Sequence, residues 1–523
     1  MDKRIAVLLL ALCLTASLLT ACGGASGEPS GGSDAEKAEP AAMAYDRDFS
    51  ALRTPGAQEE AYDYRLAFLP GVDGLSQPYV GDPMPYYEDG VYYIYYLKEG
   101  GDSYNHSIYL ATTRDFLTFD EYDEPILEAN RGGGQDGWIG TGSVVRVEEA
   151  YYFFYTGHAG SDAYEYKEKI MVAEGDSPLS FTKVEGWELT PSAELGQKND
   201  FRDPQAYYNE ETGCIELTVT AAQGGVARIL KYTLAKDLSG FDCEGVILTD
   251  PTASFWNLEC SDTFRLGDRW YITYSGQDDT LWYASSDARY GPYDEPRRLD
   301  GKIFYAAKHI EDGKNTFMVG WARRSESPSS TKEVSAWGGN LVVQRLVQRA
   351  DGSLALALPE AYRAAFADRR ELRVSDDVTL AAGARFGFEE AFTAYERFLV
   401  TGEFRFTGAG SFGLAFDFDG HEETYKLISV RPGDGTLRLS FNEGDTPITE
   451  TAAALEAGRV YAFSYWQEGS VGVFCIDGEA ALTVRLYGMS GKPIRLFAEN
   501  NTVEWTNLRE YTMPTEVNHE AAA

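Results

Sequence analysis

Positive charge is what this sequence is short of: 46 Lys and Arg stand against 82 Asp and Glu, a formal net charge of −36. Nothing basic is available to neutralise a phosphate backbone, which excludes nucleic acid as a partner. Docking on anionic lipid by charge is excluded with it. A neutral, hydroxyl-rich partner such as a carbohydrate fits the balance better. Cysteine is scarce as well. Six are scattered through 523 residues with no C-x-x-C pair, and the five His offer no zinc-site spacing. No metal or other cofactor is expected. The spacing leaves open both a Cys214–Cys243 bridge and free buried thiols. Long apolar runs are also missing: the stretch Ile5 to Leu19 is shorter than the ~20 residues of a membrane-spanning helix.

That short run has a specific context. Asp2-Lys3-Arg4 precedes it, and Leu19-Thr20-Ala21-Cys22 then Gly23-Gly24 come after it, the layout of an export signal. A small residue directly before Cys resembles the bacterial lipobox, which implies that Cys22 is lipidated and begins the mature chain. Residues 1–22 are thus expected to be a lipoprotein signal peptide. Residues 23–60, rich in Gly, Ser, Ala, Pro and acids, read as a flexible tether. The expected location is the extracellular face of a bacterial membrane, with the lipid as the membrane contact.

Beyond the tether, aromatic residues dominate. A β-forming strand recurs as Tyr92-Tyr93-Ile94-Tyr95-Tyr96, Tyr151 to Tyr155, Ile215 to Val219, Trp270 to Tyr274 and Thr316 to Trp321. The period of roughly 45–65 residues suits propeller blades, with turns such as Asp89-Gly90 between strands. The expectation is an all-β chain: a five-bladed β-propeller over 61–358, followed by a C-terminal β-sandwich over 379–515. A linker over 359–378, helical in part, joins them, and a tail over 516–523 ends the chain. Sandwich strands are read at Phe398–Phe406, Ser411–Phe418, Tyr425–Val430, Thr436–Phe441, Val471–Ile476 and Ala481–Leu486.

Three acidic motifs precede strands in three different repeats: Gly81-Asp82-Pro83-Met84-Pro85, Phe201-Arg202-Asp203-Pro204 and Trp256-Asn257-Leu258-Glu259-Cys260. In a propeller, the inner-strand starts converge on one end of the axis. Carboxylates far apart in sequence can then meet there, and glycoside hydrolysis needs two carboxylates flanking one bond.

In this order and spacing the motifs resemble those of glycoside hydrolase family 32, the β-fructofuranosidases, levanases and inulinases. The resemblance implies a five-bladed propeller with a sandwich, Asp82 as nucleophile, Asp203 as transition-state stabiliser and Glu259 as acid/base. Further matching segments are His106 to Phe116, Thr141-Gly142-Ser143 with Tyr155-Thr156-Gly157, Phe304 to Ala307 with Gly320-Trp321, and Trp337 to Leu341. Together they place Thr141 and Ser143 at the sugar. Arg202 is a candidate partner for Asp203 or for the substrate. Trp256, Trp138, Trp337 and Tyr79 are candidate sugar-facing aromatics, or propeller core. Five positions depart from the family pattern: Gly81 stands for its Asn, Met84-Pro85 for its Asn-Gly, Leu97 for its Gln and Gly472 for its Glu.

The activity so implied is retaining release of fructose from a fructan, fructo-oligosaccharide or sucrose. A fructosyltransferase, a related propeller glycosidase acting on arabinose- or xylose-containing chains, and a non-catalytic surface glycan-binding lipoprotein remain as alternatives.

Overall fold

A computed structural model describes residues 64–71, 79–100, 103–325, 334–367, 370–374, 377–381, 387–417, 425–441 and 447–513. The export signal, Cys22, the tether over 23–60 and the tail over 516–523 lie outside the described residues.

Five four-stranded antiparallel sheets succeed one another along the chain, each built from strands in sequence order. Sheet 1 runs from Gly81–Glu88 through Val91–Gly100 and Ser103–Thr113 to Asp120–Glu121. Sheet 2 runs from Trp138–Val147 to Ser180–Leu189, and sheet 3 from Phe201–Asn209 to Phe241–Thr249. Sheet 4 starts at Glu259–Leu266 and sheet 5 at Phe304–Glu311, ending at Leu354–Ala357. The first strands touch in a ring: sheet 1 against 2, 2 against 3, 3 against 4, 4 against 5, and 5 back against 1. Val80 and Gly339 exchange backbone hydrogen bonds of 2.8 and 2.9 Å, tying the start of sheet 1 to the third strand of sheet 5.

The recurrent aromatic strand of the sequence is the second strand of every sheet: Val91–Gly100, Ala150–His158, Cys214–Gln223, Arg269–Ser275 and Thr316–Arg324. Neighbouring sheets cover both of its faces, so in Ala150–His158 seven consecutive residues are buried. That double burial is why these strands read as continuous apolar runs rather than as an alternation. The fourth strands of sheets 1 to 4 are the opposite case, whereas Leu354–Ala357 of sheet 5 is buried throughout. Phe241–Thr249 contains no buried residue, and sheets 1 and 4 end in two-residue strands.

Beyond Ala357 come the helix Glu360–Ala367 and the strand Arg370–Val374, both inside the stretch that the sequence assigns to a linker. Two sheets of seven and six strands complete the chain. They pack face to face through Phe404 on Phe412 (5.1 Å between ring centroids), Phe416 on Tyr465 (5.3 Å) and Phe412 on Trp505 (5.9 Å). The sandwich strands Thr436–Phe441 and Val471–Ile476 have the limits read from the sequence.

The two modules share one continuous core. At their seam, buried Asp300 accepts from Thr483 Oγ1 (2.7 Å), Thr483 N (3.1 Å) and Gln344 Nε2 (2.9 Å). Gly301 is needed there, since a Cβ on it would lie 2.0 Å from Thr449 Oγ1. All four described cysteines, Cys214, Cys243, Cys260 and Cys475, are free thiols.

Candidate active site

Every first strand breaks register near its start. The breaks fall at Gly81/Met84, Gly140/Gly142, Arg202/Gln205, Glu259/Asp262 and Tyr305/Lys308. Such bulges re-aim side chains out of the pleat. Four of them contain a non-glycine residue at positive φ: Asp82 (37°), Asp203 (58°), Cys260 (54°) and Ala306 (52°). Asp tolerates that region, whereas Cys and Ala occupy it only when their surroundings insist.

The surroundings insist through one device used repeatedly. Opposite the residue that opens each bulge stands Leu97, Thr156, Thr220, Ser275 or Trp321. Thr156 Oγ1 accepts from Asp203 N of the next sheet (2.9 Å) and donates to Thr141 O (3.0 Å). Thr220 Oγ1 donates to Leu258 O (2.6 Å), and Ser275 Oγ accepts from Ala306 N (3.0 Å). Trp321 Nε1 crosses from sheet 5 to sheet 1 and donates to Asp82 Oδ1 (3.0 Å).

The bulges bring Asp82, Asp203 and Glu259 within electrostatic reach of one another. Asp82 also accepts from Thr141 Oγ1 on Oδ2 (3.0 Å). Burial, and then the negative charge of Glu259, raise its carboxyl above the usual range, while the Trp321 and Thr141 hydrogen bonds pull the other way. Asp203 is buried and accepts from Cys260 N on Oδ2 (2.7 Å). Burial raises its pKa to about 6; Glu259 and Asp82 add to the rise and Arg202 opposes it. Glu259 accepts from the Tyr305 hydroxyl (2.5 Å) and lies 3.5 Å from Arg202 Nη2.

Arg202 does not hydrogen-bond Asp203, the partner that sequence adjacency offers it. Arg202 pairs with Glu168 and reaches Glu259 instead. Burial works against its charge, but Glu168, Glu259, Asp203 and Asp200 outweigh it and hold the guanidinium firmly protonated.

Around the carboxylates stand the aromatics. Trp256 is 47% exposed, with the Arg202 guanidinium 5.3 Å from its ring centroid. Trp337 stacks on His106 (4.2 Å, 9° between planes), and Trp138 meets His106 edge-on and tilts against His158. Burial lowers the His158 pKa to about 3, with Arg202 and His106 adding to the drop, so its ring is neutral at ordinary pH. Tyr79 lies under Arg324. Ser143, to which its motif gives a sugar-binding role, sits between two backbone groups of the third sheet. Its buried hydroxyl donates to Pro204 O and accepts from Ala206 N, both at 2.9 Å. Its work is to clamp the Asp203 bulge.

Three of the departures, Gly81, Met84 and Leu97, form one feature around Trp337. A Cβ on Gly81 would lie 2.1 Å from Trp337 Cζ2, so the indole fills the room that a side chain at 81 would take. Met84 and Leu97 belong to the buried cluster on which Trp337 packs. Gly472 is crowded similarly, by Tyr465. The motifs assign no role to Tyr305, Trp321 or Glu168. The first two stand in segments that match the family; nothing in the sequence marks Glu168.

Residues 76–357 match the description "Glycosyl hydrolases family 32 N-terminal domain". The chain belongs to glycosyl hydrolase family 32. Among curated members of known activity, a sucrose-6-phosphate hydrolase of Escherichia coli is 27% identical over 271 residues, covering 47% of this chain. The match spans about half of that relative's length, 54%. The fold extends further. The sucrose-6-phosphate hydrolase of Lactobacillus gasseri superposes with a TM-score of 0.67 at 16% identity, over 88% of this chain and 94% of that one. The β-fructofuranosidase of Aspergillus kawachii gives 0.68 at 15% identity, over 90% and 96%. The family 32 fold is thus shared across both modules, although the family profile covers only the five-sheet module.

Proposed function

We propose that this family 32 chain is a retaining glycosidase that releases fructose from β-fructosides. The observation that carries the reading is the convergence of Asp82, Asp203 and Glu259 on the bulged starts of three first strands. Similarity to a sucrose-6-phosphate hydrolase and a β-fructofuranosidase supports a fructosyl substrate. The five sheets are read as blades of a five-bladed propeller over 61–358, with the sandwich over 379–515; closure of the ring in a crystal structure checks the count.

Asp82, as carboxylate, attacks the anomeric carbon while Glu259 protonates the departing glycosidic oxygen. One C–O bond forms as the other breaks. Asp203 accepts hydrogen bonds from ring hydroxyls as the oxocarbenium-like charge develops. Water then attacks the fructosyl ester, giving its proton to Glu259 and restoring Asp82. Tyr305 and Arg202 hold Glu259 in place between the two steps, and Thr141 and Trp321 do the same for Asp82.

Incubation with sucrose, fructo-oligosaccharide, inulin and levan tests the reading. Fructose release from at least one is expected, and Asp82→Asn and Glu259→Gln each lower kcat by about 10²–10⁴-fold or more. Activity surviving Asp82→Asn would sink the nucleophile assignment. Inertness toward all fructosides, with binding to one, would favour a glycan-binding protein. The proposed location is the extracellular face of the bacterial cell membrane, anchored through Cys22. Labelled palmitate is then incorporated by the wild type and not by Cys22→Ser; equal labelling refutes the anchor.

A further inference from the structure

We propose that the cleft between the five-sheet module and the sandwich is a second binding site, for a small ligand carrying a phosphate or carboxylate oxyanion. The cavity measures about 390 Å³ and is lined by Tyr79, Arg324 and Asn340 on one side and Ser470, Arg485 and Tyr487 on the other. None of the three catalytic carboxylates lines it. The size suits a metabolite rather than a bare ion.

Charge is the reason. In a chain of net charge −36, two guanidiniums meet here with no carboxylate between them among the described residues. Arg485 is 4% exposed, and its four hydrogen bonds all go to neutral acceptors. These are Ala322 O (2.6 Å), Asn340 Oδ1 (2.9 Å), Arg323 O (3.0 Å) and Ser470 Oγ (3.0 Å). Burial above all, joined by the charge of Arg324, lowers its pKa to about 10, with Tyr487 and Tyr79 acting in the opposite sense. Arg324 lies over the Tyr79 ring, 4.0 Å from its centroid. Its buried Nε has no hydrogen-bond acceptor, and no carboxylate pairs with it among the described residues.

The nearby acids do not supply the missing charge. Glu468 accepts from Leu66 N (2.5 Å) and Ala67 N (2.9 Å) on one oxygen and pairs with Arg397 through the other. Glu396 and Arg65 are exposed at the mouth and offset each other in sign. Two like charges held together with no counterion are unfavourable until an anion bridges them, and the planar fork of arginine matches phosphate and carboxylate oxygens. Two hydroxyls can complete the grip. Tyr487 accepts from Ser325 N (3.1 Å) and Ser470 accepts from Arg485, so each has its own proton to donate. The Tyr79 face offers an apolar wall for the body that carries the anion.

Calorimetric titration of the purified protein with inorganic phosphate and with citrate, at low salt, tests the site. One saturable site per chain is expected, weakened by added NaCl. Arg324→Gln weakens it at least tenfold, whereas Asp82→Asn leaves it intact. Phosphate raises the melting temperature of the wild type and not of Arg324→Gln. Without ligand that variant melts no lower than the wild type, because Arg485 loses a like-charged neighbour. Arg324→Lys keeps the charge but not the fork, and binds with intermediate affinity. Absence of saturable binding by either anion, or binding that Arg324→Gln leaves unchanged, overturns the proposal. Glucose 6-phosphate separates the two sources of the oxyanion. Tighter binding than phosphate identifies a sugar-borne group, and equal binding identifies the free anion.

Discussion

Asp82 is held by residues that its own motif does not contain. Thr141 comes from the neighbouring sheet and Trp321 from a strand 239 residues away. Both hydrogen bonds favour the carboxylate, against burial and the charge of Glu259. Removing one therefore raises the Asp82 pKa further. Thr141→Val is expected to move the acid limb of kcat/KM upward in pH, with losses of up to about tenfold at the acid end and much smaller ones near neutral pH. An unmoved or downward-shifted limb would refute this account of Asp82. Gly81 shows the converse limit of reading single residues. In the sequence it is a lost polar side chain; in the structure it is the gap that lets Trp337 stack on His106.

At the scale of the strand, the bulge is what turns a structural sheet into a site. A regular first strand would point alternate residues into the packing between sheets. The bulge instead gives Asp82, Asp203 and Glu259 a common direction, and hydroxyls on adjoining strands hold it open. Ser143→Ala removes two backbone contacts of the Asp203 bulge, leaving Ala206 N and Pro204 O short of a partner. A stability loss of about 1–3 kcal/mol is expected. Because the buried hydroxyl holds the Asp203 bulge, kcat should fall by a larger factor than KM rises. Urea unfolding and steady-state kinetics check both; a pure KM effect would return Ser143 to the substrate-binding set. Much of this level is legible in the sequence. The aromatic second strands stand out because both faces are buried. A fourth strand such as Phe241–Thr249 does not, since it has no buried residue and its Phe241, Val246, Ile247 and Leu248 stay exposed or half-buried.

For the whole molecule, buried carboxylates set how stability varies with pH. Burial raises Asp203 and Asp300 each to about 6, from an ordinary 3.8, although hydrogen bonds to Asp300 and the Arg202 charge near Asp203 oppose the rise. Between about pH 4 and 6 the folded chain therefore binds more protons than the unfolded one, and stability falls as pH rises through that window. On going from about pH 7 down to about pH 5 the protein should gain on the order of 1 kcal/mol from each group. Partial discharge of the −36 net charge acts in the same direction. Urea midpoints at the two pH values measure the gain, and Asp300→Asn, neutral throughout, should remove its share, on the order of 1 kcal/mol. A midpoint that falls on acidification across this range would contradict the assignment.

The sequence by itself determined the class of strand, the repeat, the two-sheet second module and the three acidic motifs. Each of these is written in local patterns: turn pairs, apolar runs and short strings around Asp82, Asp203 and Glu259. Only the tertiary structure decided who holds them. Tyr305 and Arg202 on Glu259, Trp321 and Thr141 on Asp82, and Cys260 N on Asp203 are contacts across sheets. Strands far apart in the chain make them, and no spacing rule encodes such partners. The arginines of the intermodule cleft belong to the same category. Arg324 and Arg485 are ordinary cations in the sequence, and that no carboxylate pairs with them among the described residues becomes visible only once both modules are folded against each other.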